Sequence, residues 1–281
     1  MSPALRRLFV RSGKSFASNG ILVIFVLISL FPVYLMFITS LKSQAELISN
    51  VFDLPHSPKW GNYHLVLIQR GYYRAVINSL IFASSVTVLT VLLSVLAAFA
   101  FAVFDFAGKR VLFVLVLVGL MVSEVSILIP IYNLLKSMNL LNTYVGMILP
   151  QIALGLSFGI FLMTTFFREV PRELIDAARL DGCTDWQLLT KIMIPVGLPG
   201  INALAVIEFL WAWNSFFLPL VIATKQELMP LSVSVIDFMG RFTFNYELVA
   251  TTCVIMFVPI LILYIFTQRS FRRGVTMGAV K

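Results

Sequence analysis

The sequence predicts an all-α integral membrane protein with six spanning helices, and three observations carry that prediction. The 281 residues are 59% hydrophobic and only 12% charged, too little charge to cover the surface of a soluble domain of this length. Apolar residues gather into long charge-free runs at 15–41, 75–104, 137–167 and 248–268. Two further runs hold one acid each, 111–135 around Glu124 and 192–224 around Glu208. Each run can supply the roughly 20 residues that cross about 30 Å of hydrocarbon, and a helix lets one segment satisfy its own backbone in lipid.

The spans are expected near 20–41, 77–104, 111–135, 144–167, 201–224 and 248–268, within a single domain 20–281 that follows a basic N-terminal segment, 1–19. The first run follows basic residues, as a signal peptide would. It is too long for an h-region, and no small-x-small site follows it near 39–42, so a retained helix is expected. Orientation comes from lysine and arginine. With a cytoplasmic N-terminus, fourteen lie inside: Arg6, Arg7, Arg11, Lys14, Lys109, Arg110, Arg168, Arg172, Arg179, Lys191, Arg269, Arg272, Arg273 and Lys281. Seven lie outside: Lys42, Lys59, Arg70, Arg74, Lys136, Lys225 and Arg241. The positive-inside rule then puts both termini in the cytoplasm. The net charge of +8 follows from this topology and does not point to nucleic acid. Cys183 and Cys253 fall in a cytoplasmic loop and a span, which excludes a disulfide framework.

Between the fourth and fifth spans lies a polar cytoplasmic loop, 168–200. Pro171 suits a first helical turn, and Glu173 and Asp176 complement the positive end of the helix dipole. Leu174, Ala177 and Ala178 form a flat apolar patch that lets another protein approach closely. Gly182 is placed to end the helix in a left-handed conformation. Thr184 with Gln187 forms a capping box for a second short helix, which Pro195 is expected to end. Local chemistry alone fits equally an ordinary surface hairpin of two helices.

The spacing Asp176-Ala177-Ala178-x3-Gly182-x9-Ile192-x-Ile194-Pro195 closely resembles the E-A-A-x3-G-x9-I-x-L-P loop of permease subunits of ATP-binding-cassette importers. Asp176 replaces the usual Glu and Ile194 the usual Leu, keeping charge sign and apolar character. Phe161-Leu162-Met163, Phe166-Phe167 and Val170-Pro171 are similar to the carbohydrate branch, the maltose-type inner-membrane components. So are Trp213-Asn214-Ser215-Phe216-Phe217-Leu218-Pro219-Leu220, Ser40-Leu41-Lys42-Ser43 and the terminal Gly278-Ala279-Val280-Lys281. Ser123 departs from the branch, which often has proline there, and this puts the bend of the third helix in question. The resemblance implies a type I importer permease fold and a loop acting as coupling helix, carried by Glu173, Asp176, Ala177, Ala178, Gly182 and Pro195. It further implies a second homologous permease subunit, two ATP-binding-cassette ATPase subunits and an extracytoplasmic solute-binding protein, in a prokaryotic cytoplasmic (inner) membrane.

Intramembrane acids are costly and often functional, so Glu124 and Glu208 are candidates for a substrate path or a proton relay; each could instead pair with a neighbouring helix. Trp211, Trp213 and Asn214 join them, because aromatic faces pack on sugar rings and amides bond hydroxyls. The two tryptophans could equally be interfacial anchors. Gly155 and Gly159 read as close helix packing. Ser12-Gly13-Lys14-Ser15 is not a phosphate loop, since Leu8 stands where its first glycine is required. No catalytic constellation is visible, His56 and His64 lack a ligand-rich neighbourhood, and no cofactor is expected on this chain; ATP and Mg would belong to a partner ATPase. Outer loops at 42–75 and 225–247, the second with Met229, Pro230, Arg241, Phe242 and Tyr246, are candidates for touching a binding protein. A permease for a polyamine, phosphate or peptide shares the docking loop, and a stand-alone proton-coupled carrier using Glu124 or Glu208 is the alternative of a different class.

Overall fold

The computed structural model describes the backbone of residues 3–239 and 244–278 and the side chains of 19–239 and 244–267. Arg241 and Phe242, the basic side chains of 1–18 and the terminal 279–281 lie outside the described residues. Among the described residues, five helices are long and apolar enough to cross a membrane: Asn19–Ser40, Tyr72–Val103, Tyr144–Arg168, Asp185–Asn214 and Tyr246–Thr267. A sixth span exists only as a broken pair, Lys109–Gly119 and Glu124–Ser137, bent by 100°. Hydropathy outlines one domain over 20–281, and within the fold the chain divides into two compact units. These are Met1–Arg70 with Asp237–Ile255, and Gly71–Ile236 with Met256–Lys281.

In the first unit, α1 (Pro3–Ser40) leads into α2 (Gln44–Ser49) and α3 (Gly61–His64). Ser43 and Glu46 cap α2 reciprocally, satisfying two orphan N–H groups. The N–H of Ser43, above all, holds the Glu46 carboxyl below its ordinary value. Lys42 is 1% exposed, and its buried Nζ is satisfied by donating to the Asn50 and Val51 carbonyls at 3.0 and 2.8 Å.

The second unit is built on α4 (Tyr72–Val103), followed by α5 (Lys109–Gly119), α6 (Glu124–Ser137) and α7 (Tyr144–Arg168). Then come α8 (Arg172–Leu180), α9 (Asp185–Leu188), α10 (Ile194–Asn214), α11 (Phe217–Ile222) and α12 (Leu231–Ser234). The last helix, α13 (Tyr246–Gly278), runs through both units. Helices α4, α7 and α10 form the packed centre. Small residues allow this: a Cβ at Gly159 would strike Ser94 and Leu204, and one at Gly155 the Glu208 carboxylate.

Three expectations change. The run 111–135 is not one helix. The chain turns at Leu120–Ser123, with Ser123 extended at φ −77°, ψ 132°, and α6 restarts at Glu124. The run over 201–224 ends as a helix at Asn214, and α11 is a separate short helix beyond an extended Ser215. Its length comes from the other end, because charge counting discarded Asp185 and Lys191, which the continuous stretch Asp185–Asn214 includes. Pro195 accordingly does not end the second loop helix. A wide turn at Leu189–Met193 opens the backbone just ahead of the proline, and the rod passes through it.

Candidate functional site

At one end of the second unit, α8 forms as its residues dictate. Pro171 stands one position ahead of the helix, as its N-cap, with Glu173 in the first turn. The helix closes in a Schellman motif: Gly182 adopts φ +78° and donates to Arg179, while Cys183 donates to the Ala178 carbonyl. Thr184 and Gln187 then cap α9 reciprocally. Ile175 and Ala178 are buried against Phe167, Val170, Leu188 and Met193, so the loop is seated on the spans by its inner face. Glu173, Leu174, Asp176, Ala177 and Leu180 are exposed, Leu180 by 89%. The apolar patch expected from Leu174, Ala177 and Ala178 is therefore divided, with Ala178 turned inward. Beside α8 a polar cavity of about 400 Å³ gathers Asp105, Lys109, Arg168, Arg172, Asp176 and Arg179. Lys109 bonds Asp105 at 3.0 Å and by this contact holds its carboxyl below the usual carboxylate value.

The second feature is a cavity of about 540 Å³ where the two broken helices meet. Its walls combine Glu124, Gln151, Asn214 and Ser215 with Phe158, Trp211, Phe216 and Phe217. Broken backbone is tolerated at membrane depth where other groups satisfy it. Here Glu124 accepts the Leu218 N–H at 3.1 Å and Ser232 donates to the Ser215 carbonyl at 2.7 Å. Ser215 in turn donates to Gln151 Oε1 at 3.1 Å. Asn214 ties its amide back to the Leu210 carbonyl at 2.8 Å. Trp211 is half exposed, its ring 5.0 Å from that of Phe158.

Of the residues named from sequence, the structure brings Glu124, Trp211 and Asn214 to this cavity. It does not bring Glu208 or Trp213. Glu208 is 1% exposed behind Gly155, and its Oε1 has no hydrogen-bond partner among the described residues. Trp213 is 2% exposed, donates its indole N–H to the Met256 carbonyl at 3.1 Å and stacks on Phe209, so it packs rather than anchors at an interface. Sequence reasoning missed Gln151, Phe158, Phe216 and Phe217. Gln151 had a visible signal, the single amide side chain in the expected span 144–167; the phenylalanines had none.

A polytopic helix bundle with a polar cavity at its helix breaks has the build of a membrane permease. The family comparison agrees: this chain belongs to the binding-protein-dependent transport system inner membrane component family, whose model matches residues 90–277. It is the membrane-spanning permease subunit of an ATP-binding-cassette importer, with the type I permease fold. It is 32% identical over 260 residues to the arabinooligosaccharides transport system permease protein AraQ of Bacillus subtilis (strain 168), covering 91% of this chain and 92% of that one. It is 30% identical over 281 residues to the diacetylchitobiose uptake system permease protein NgcG of Streptomyces coelicolor, covering 99% and 93%. A chain of a bacterial ABC transporter involved in the import of the acidic polysaccharide alginate matches with a TM-score of 0.78 at 24% identity, covering 96% of this chain and 99% of that one. At that identity the likeness concerns the fold.

Proposed function

We propose that this permease carries a sugar or oligosaccharide and forms half of its path, with a second homologous permease subunit as the other half. The observation that carries the reading is the cavity at the helix breaks. Its volume falls within the roughly 300–1,000 Å³ of small-molecule sites. Its aromatic faces suit the apolar sides of sugar rings, and the Glu124, Gln151 and Asn214 side chains suit hydroxyls. The relatives' names, arabinooligosaccharide and diacetylchitobiose systems, support the same cargo class.

The loop over 171–195 couples the chain to two ATPase subunits, which hold ATP and Mg; this chain binds neither and hydrolyses nothing itself. Asp176 faces a basic residue of the ATPase, Glu173, Leu174 and Ala177 make the docking face, and Ala178 lets the helix sit close to the spans. Gly182 sets the loop's turn, and Pro195 lies in the helix that takes movement into the membrane. An extracytoplasmic solute-binding protein delivers the cargo. The setting is a prokaryotic inner membrane with both termini cytoplasmic, as lysine and arginine placement supports.

The test is substrate-stimulated ATPase activity of the assembled complex, screened across sugars, polyamines, phosphate and peptides. Stimulation by a sugar that weakens in Trp211→Ala supports the reading. Stimulation by a polyamine or peptide alone overturns the cargo, and protonophore-sensitive uptake without any ATPase overturns the mechanism.

A further inference from the structure

At the end of the second unit that carries α8, a shallow cavity of about 660 Å³ is lined by Phe106, Gly108, Arg110, Phe113, Val114 and Arg168, among others. Three features converge on it. Neither Arg110 nor Arg168 has a carboxylate within ion-pair distance among the described residues, whereas nearby Lys109 is engaged by Asp105 and the Phe104 carbonyl. Arg168 is instead held over the Phe113 ring, 5.0 Å from its centroid, which fixes the guanidinium with its N–H groups available. Gly108 enters α5 in a left-handed conformation, and no side chain caps that helix, so its first turn adds positive dipole to the two arginines.

Directly along α5 from this cationic end run Val111, Val114, Leu115 and Val118, each at least half exposed. They lie at i, i+3, i+4 and i+7, one face of the helix. A cationic end continuous with an apolar lane about 10 Å long, seven residues at 1.5 Å each, matches an amphiphile with one negative head and the upper part of its chain. A free phosphate would use the arginines and leave the lane unexplained. We propose that this is a binding site for an anionic phospholipid, with the phosphodiester between Arg110 and Arg168 and an acyl chain along Val111 to Val118. Basic pockets between spans at the basic end of a bundle are a recognised setting for such headgroups. The proposal needs only that the chain spans a membrane, so it stands or falls apart from the cargo.

The experiment uses the full chain within its transporter complex in mild detergent, titrated with phosphatidylglycerol or phosphatidylcholine and read by native mass spectrometry. Expected is one retained phosphatidylglycerol, with a preference over phosphatidylcholine of roughly 30-fold, from two arginines each contributing about fivefold. Arg110→Gln with Arg168→Gln removes the preference, and Lys225→Gln leaves it. Unchanged retention in the arginine pair overturns the site. Displacement by inorganic phosphate, or equal competition from the headgroup without chains, overturns the lipid as occupant. Should the arginine pair assemble poorly, a photoactivatable phosphatidylglycerol must label the 109–119 peptide in wild type. Crosslinking of that peptide to the second permease chain in place of lipid overturns the proposal equally.

Discussion

The coupling loop and the cavity are made by different kinds of instruction. The turns and caps of α8 and α9 are specified within a few residues: Glu173 in the first turn, Gly182 at φ +78° and the reciprocal Thr184–Gln187 cap. The cavity has no such local source. Its walls come from α5, α6, α7, α10 and α11, and its breaks are held by contacts such as Glu124 with Leu218, 94 positions apart. The loop is therefore expected to tolerate change in what the spans enclose. The cavity is expected to tolerate change in what drives the spans.

Substitutions test that separation. The largest effect is expected from Asp176→Lys: reversing a charge at a docking face costs several kcal/mol, so transport falls about 100-fold. Uptake into proteoliposomes measures it, with the helix content of the chain and its preference among sugars unchanged. A shifted preference would join two regions that are expected to act separately. Gly155→Val comes next, driving methyl groups into the Glu208 carboxylate at a cost of about 1–3 kcal/mol. Thermal unfolding checks it, and Gly155→Val with Glu208→Ala regains at least half; strict additivity would mean the two side chains do not meet.

Trp211→Ala, on the cavity wall, raises the sugar concentration for half-maximal transport about 10-fold, the loss of one ring's packing and stacking. ATP consumed per sugar stays constant, which a coupling residue would not allow. Thr184→Ala costs about 1 kcal/mol, confined to α9. Faster hydrogen exchange at the Gln187 amide reports it. The smallest effect belongs to Lys109→Met. Asp105 sits below its ordinary value in the folded chain, so the stability it contributes is fully present above about pH 4 and fades as pH falls through the lowered value. The variant loses that acid-side dependence, seen as a flatter melting temperature below pH 4.

The same contrast explains how much the sequence revealed. Helical periodicity and caps made the loop legible nearly residue by residue, because capping is a short-range interaction. The spans were legible as apolar runs, since hydrocarbon selects composition over some 20 residues. What hydropathy could not resolve was where a run stops being helical. Leu120 to Ser123 carries no charge, and its turn closes on backbone bonds such as Leu120 to Leu117 and Val122 to Gly119, which hydropathy does not register. Glu208 and Trp213 were drawn toward the cavity by proximity in sequence to Trp211 and Asn214. Trp213 adjoins Asn214 in sequence but points elsewhere on the helix, onto Phe209, whereas Glu208 shares a face with Trp211 one turn on and is covered by the close packing of Gly155. Gln151, on a different span, reaches the wall that they do not.

The wide turn at Leu189–Met193 has a mechanical consequence. By absorbing Pro195 it leaves one rod from Asp185 to Asn214, 30 residues with no break between the loop and the cavity wall. At 1.5 Å per residue that is a lever about 45 Å long, and a tilt of about 10° at its base would sweep its tip by about 8 Å. Force applied at the loop end thus arrives at Trp211 and Asn214 amplified as displacement. Compliance in the lever lies near its fulcrum, at the overwide turn and at Pro199, whose missing N–H removes a rung of the helix ladder.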